Sequence, residues 1–169
     1  TNRTDNPNQN RLLALAASRV QGFPTLNFAR QEVTNTAILY GSTPFLDGAA
    51  TKARLRNESR DKDLFLIAAH GELDEANPLF SRLVLSPDGT EDGSLTVPEI
   101  YTLELAEANL VVLSACETNL GKPTRGDDLI ALTRAFMYAG APSVVASLWK
   151  VNDEATSLLT TTFFKNLRA

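Results

Sequence analysis

Asn109-Leu110-Val111-Val112-Leu113-Ser114-Ala115-Cys116-Glu117-Thr118 climbs through an apolar run to the only cysteine in the chain. A second stretch, Leu64-Phe65-Leu66-Ile67-Ala68-Ala69-His70-Gly71, has the same form and closes on the only histidine. Short continuous apolar runs of this kind suit strands buried on both faces of a parallel sheet. In an open α/β sheet, reactive groups collect at the carboxyl ends of such strands. Two neighbouring strands therefore bring an imidazole beside a thiol, the minimum for a thiolate nucleophile. Taken singly, a lone cysteine reads equally as a small buried hydrophobe, and a lone histidine as a hydrogen-bonded or surface residue. Their shared position at strand ends, ahead of loop-like segments, is what joins them.

Outward from these two runs, the pattern alternates strand and helix. Thr1–Asn10 is polar and turn-rich and reads as a flexible lead or linker. Arg11–Ala17 is short and apolar, and Gly22 and Pro24 mark a loop after it. Residues 28–40 carry Val33, Ala37, Ile38 and Leu39 at helical spacing and stop before Gly41. Pro44–Leu46 suits a brief strand, and Ala49–Leu55 a helix. Glu72–Pro78 reads as an acidic, irregular loop, with Glu72, Asp74 and Glu75 as a solvated face. Arg82–Leu85 suits a strand, followed by turn chemistry at Pro87-Asp88-Gly89. Thr96-Val97-Pro98-Glu99 has capping-box spacing, so a short helix is expected from Val97.

Beyond Cys116, residues 119–125 read as a loop. Asp127–Ala139 is the clearest helix. Acids Asp127 and Asp128 open it, Leu129, Leu132, Phe136 and Met137 form its apolar stripe, and Gly140 stops it. Ser143–Leu148 suits a strand, and Asn152/Asp153 opens a final helix. This alternation predicts an α/β fold, a mostly parallel sheet with helices on both faces.

With 169 residues the chain is one domain long enough to bury a core. The net charge of −4 supplies no basic footprint, which argues against direct nucleic-acid or anionic-membrane partners. A single cysteine fits a reducing, cytoplasmic setting. The acids show no metal-ligand spacing, so neither a metal nor a cofactor is expected.

The combined motifs resemble the CHAT domain, a caspase-like module. The resemblance is carried by His70-Gly71, Leu113-Ser114-Ala115-Cys116-Glu117-Thr118 and Gly126-Asp127-Asp128-Leu129. It continues through Leu132-Thr133-Arg134-Ala135-Phe136, residues 139–145 and residues 147–156, which include Ser147-Leu148-Trp149. His70 lies 46 positions upstream of Cys116, near the separation of about 50 found in caspases. The resemblance implies a caspase-like α/β sandwich over residues 11–169, related to separases and the clan CD cysteine peptidases. It also implies a tetratricopeptide-repeat or other regulatory domain in the parent chain. Family domains usually continue into a further helix and strand, so a missing C-terminal part is expected here.

An unassisted thiol has a pKa of about 8.5, so His70 must supply a base or an imidazolium partner for Cys116. No side chain stands out as an orienter for the imidazole; a backbone carbonyl suffices. The oxyanion donors expected are the backbone N–H groups of Gly71 and Cys116, since glycine lets the main chain approach a substrate closely. On local grounds Gly71 reads equally as a strand-exit turn. Asp153 reads locally as an N-cap for the last helix, while the resemblance to caspase-like folds implies a compatible second role, an acid in the first specificity pocket favouring Arg or Lys. Trp149 reads as core or as a wall of that pocket.

The leading expectation is a cysteine endopeptidase acting on a protein or peptide substrate, with cleavage after basic residues. The alternative is a catalytically silent caspase-like module for regulation or protein interaction, and a weaker third is a thiol transferase using the same dyad.

Overall fold

The computed structural model describes residues 11–74, 76–117, 127–147 and 152–168. Five strands form a parallel sheet in the spatial order β2 (Pro44–Leu46), β1 (Leu12–Ala16), β3 (Leu64–Glu72), β6 (Leu110–Glu117) and β7 (Val144–Ala146). β4 (Arg82–Val84) and β5 (Ser94–Thr96) add an antiparallel hairpin. β1 stops opposite Ala68, so the edge of β3 beyond it is taken over by β4, which pairs with residues 70–72. β6 runs along the opposite edge from Leu64 to Gly71.

Side chains alternate across the pleat, so each strand feeds two cores. Leu13, Leu15, Phe65, Ile67, Val111 and Leu113 face a layer made by α2 (Lys52–Glu58), α3 (Val97–Ile100) and α4 (Asp127–Tyr138). Leu12, Ala14, Leu66, Ala68 and Val112 face α1 (Ala29–Tyr40) and α5 (Asp153–Arg168). Phe65, Phe136 and Phe164 are fully buried, and each such side chain contributes about 1.5–3 kcal/mol relative to exposure. The expected α/β architecture, with helices on both faces of a mostly parallel sheet, is the one observed.

The local signals act as their chemistry requires. Thr96 and Glu99 form the capping box that starts α3. Gly140 ends α4 at φ 122°, and a Cβ there would lie 2.9 Å from the Leu105 backbone. Two expectations need correcting. The second helix does not begin at Ala49: a 3-10 turn covers Asp47–Ala49, and α2 starts after Thr51, whose hydroxyl accepts from Arg54 N–H. Glu72 does not belong to a solvated loop, because it is the last residue of β3 and pairs with Arg82 across the ladder. Asp74 accepts from the N–H groups of Ala76 and Asn77, while Glu75 lies outside the described residues.

Residues 1–10, 119–125, Leu148 and Trp149, on which further expectations fell, also lie outside the described residues. No described helix is long and apolar enough to cross a membrane.

Candidate active site

β3 and β6 run parallel and in register for eight residues, and the register sets His70 opposite Cys116. Neighbouring strands lie about 4.8 Å apart, so the two backbones stand side by side at the carboxyl end of the sheet. The Cys116 side chain lies outside the described atoms. Gly71 is paired with Leu83 on one side and Glu117 on the other. It is therefore a ladder residue inside β3, which replaces the strand-exit turn expected from local sequence.

His70 is 2% exposed, on the sheet face covered by α1 and α5. Its ring is held by the loop between β1 and α1. Nε2 lies 2.7 Å from the carbonyl oxygen of Pro24, and the Phe23 ring stacks on the imidazole at 5.2 Å between centroids. A carbonyl can only accept, so Nε2 carries the proton in the neutral ring and Nδ1 keeps its lone pair. Nδ1 is buried and has no hydrogen-bond partner among the described residues. Burial pushes the imidazole pKa below its usual value, against the opposing pull of the Pro24 carbonyl and the Asp153 and Glu72 carboxylates. The resting ring is thus neutral near pH 7, with a basic nitrogen facing away from Pro24.

The loop that supplies Phe23 and Pro24 is itself fixed at several points. Ala17 N–H continues the ladder to Ala68, Leu26 N–H donates to Ser18 O, and the Ser18 hydroxyl donates to Asp47. Phe28, which starts α1, donates its N–H to Asp153 Oδ2 at 2.8 Å. Asp47 also pairs with Arg30 on the first turn of α1.

Asp153 is half-buried at the first position of α5. The helix cap is Asn152, whose Oδ1 accepts from Ala155 N–H, so the expectation that Asp153 caps α5 is corrected. The Asp153 carboxylate instead sits at the N-terminal ends of two helices, α1 and α5, where a negative charge is favoured.

Glu32 was not identified from sequence. It is 1% exposed on the inner face of α1 and accepts from the Ser114 hydroxyl at 3.0 Å. Burial lifts its carboxyl to about 7, with Ser114 and Thr160 pulling down and Asp153 adding to the rise. The signal was present: Ala29, Glu32, Val33, Thr36 and Ala37 are all buried and follow the i, i+3, i+4, i+7, i+8 stripe. Among the described residues, no group of three or more His, Cys, Asp and Glu side chains gathers to hold a metal.

A family model described as the CHAT domain matches residues 1–169. Tetratricopeptide repeat protein 28 of Mus musculus is 40% identical over 73 residues, 43% of this chain and 3% of that protein. Tetratricopeptide repeat protein 28 of Homo sapiens matches to the same extent, so the chain spans a small fraction of the length of these relatives. The family match over the whole chain agrees with the sheet just described, and the chain belongs to the CHAT domain family, a caspase-like branch of the clan CD superfamily.

Proposed function

We propose that this domain is a cysteine endopeptidase in which His70 activates Cys116, and that it cleaves after basic residues. The observation that carries this reading is the register of His70 opposite Cys116 on adjacent parallel strands. The Pro24 carbonyl supports it further by fixing the tautomer in which Nδ1 is the base.

In this mechanism Nδ1 takes the thiol proton and the sulfur attacks the scissile carbonyl carbon. The resulting oxyanion is met by the main-chain N–H of Cys116, Gly71 being held in the ladder between β4 and β6. Collapse of the tetrahedral species breaks the C–N bond, and the imidazolium gives its proton to the departing amine. A thioester remains on Cys116. His70 then draws a proton from water, hydroxide adds to the thioester, and the carboxylic acid leaves as the thiol is restored. Asp153, on the His70 side of the sheet, serves as the acid that selects an Arg or Lys side chain, with Trp149 as a wall of the same pocket.

The test is reaction with an arginyl acyloxymethyl ketone peptide, followed by mass mapping. Modification of Cys116 that requires His70 supports the reading. A folded protein whose thiol is inert to the ketone, and which turns over no basic peptide, is instead the silent interaction module.

A further inference from the structure

A buried carboxyl on the sheet-facing side of α1 needs an account. Glu32 shares the buried stripe of α1 with Ala29, Val33, Thr36 and Ala37, where an aliphatic side chain of similar volume avoids the desolvation cost of a carboxyl. What an aliphatic residue cannot do is accept a directed hydrogen bond. Of the bonds Glu32 accepts, from Ser114 and from Thr160 of α5, the first comes from β6, two residues before Cys116.

The same helix governs the other half of the site. The Pro24 loop runs directly into α1, and the Phe28 N–H is tied to Asp153 on α5. At the far end of α1, the Tyr40 hydroxyl donates to the Phe164 carbonyl of α5. Thus one rigid helix sets both the carbonyl that orients His70 and the strand end that carries Cys116.

We infer that Glu32 is a positioning residue, which holds the carboxyl end of β6 through Ser114 so that Cys116 meets the base on His70. The inference rests on the peptidase reading. Its essential feature is an acceptor at the Glu32 carboxyl, so a neutral amide can replace it. Among the described residues, the groups facing Glu32 are Ser114 from β6, Thr160 and Asp153 from α5, and Thr36 from its own helix, none of them a cation.

Cys116 is the only thiol in the chain, so its reaction with iodoacetamide reads the pair without any turnover. At about pH 6 the thiolate depends on a nearby base, whereas at about pH 9.5 the thiol ionises unaided. Glu32→Met and Ser114→Ala are expected to slow alkylation at least about fivefold at the lower pH and to converge on wild type at the higher one. The double variant should be no slower than Glu32→Met alone, because that change already removes the Ser114 contact together with the one to Thr160. Glu32→Gln should stay within about twofold of wild type, since it keeps the acceptor. A thermal melt confirms folding, and Ser114→Ala carries the test if Glu32→Met fails to fold.

Wild-type rates at low pH in both Glu32→Met and Ser114→Ala overturn the inference, as does equal slowing at every pH. His70→Ala separates the two layers. If it leaves alkylation at low pH unchanged, the His70–Cys116 reading itself falls; if it alone slows alkylation, only the role of Glu32 falls.

Discussion

Phe28 and Asp153, 125 residues apart in the chain, are joined by a 2.8 Å hydrogen bond from the Phe28 N–H to the Asp153 carboxylate. The bond ties the start of α1 to the start of α5 and leaves a carboxylate where its field reaches His70. One side chain therefore links helix packing to the electrostatics of the candidate base.

Asp153→Asn separates these roles, because the amide oxygen still accepts from Phe28 N–H while the charge is gone. If Asp153 reads a basic side chain, kcat/KM for arginyl peptides should fall roughly ten- to a thousandfold, about 1.4–4 kcal/mol, with neutral peptides spared. The carboxylate also favours the imidazolium form of His70, so its loss should move the acid limb of kcat/KM to lower pH. Equal losses on basic and neutral peptides would mean that another residue selects the substrate.

Cys116→Ala and His70→Ala should each abolish turnover in a folded protein. A thermal melt checks folding, which matters for His70→Ala because the buried ring packs on Phe23 and bonds to Pro24. Peptide hydrolysis above about a tenth of wild type in Cys116→Ala would exclude a covalent mechanism through this thiol.

Much of the architecture is legible in local chemistry. The apolar runs into His70 and Cys116, the Thr96–Glu99 box and the Gly140 stop all depend on neighbours within a few residues. What escaped depends on contacts distant in sequence. Glu32 resembles a surface acid until β6 and α5 are packed against α1, and Ile38, apolar in the same helix, is 71% exposed. Pro24 carries no polar side chain, so nothing in its identity announces that its carbonyl meets His70. The cap at Asn152 and the Asp153 bond to Phe28 exchange the local role expected for Asp153 for a tertiary one.

Phe23 offers a change of opposite sign to Asp153→Asn. Its ring stacks on the imidazole and shields it from water, a contact worth about 0.5–1.5 kcal/mol beyond its buried area. Burial is the largest influence lowering the His70 pKa, so Phe23→Ala should raise it toward the usual value of 6.5. His70 is the only histidine, which makes its Cε1 proton a direct NMR reporter of the titration. A pKa that stays put or falls in Phe23→Ala would show that the stacked ring does not govern the hydration of His70.

Glu32 makes stability depend on pH in a direction unusual for an acid. Its folded pKa, about 7, lies above the ordinary 4.5, so between these values the folded state holds a proton that the unfolded chain has released. By linkage, the stabilisation is fully present below about pH 4.5 and is lost as pH rises through 7. The loss is on the order of 3 kcal/mol, taking 1.36 kcal/mol for each unit of separation. Glu32→Gln cannot ionise, so its stability relative to wild type should improve by about that amount from pH 4.5 to 8. Urea unfolding at several pH values measures the difference directly. A Glu32→Gln advantage that is flat across this range, or that shrinks as pH rises, would mean that the Glu32 carboxyl ionises in the folded protein as it does in the unfolded chain.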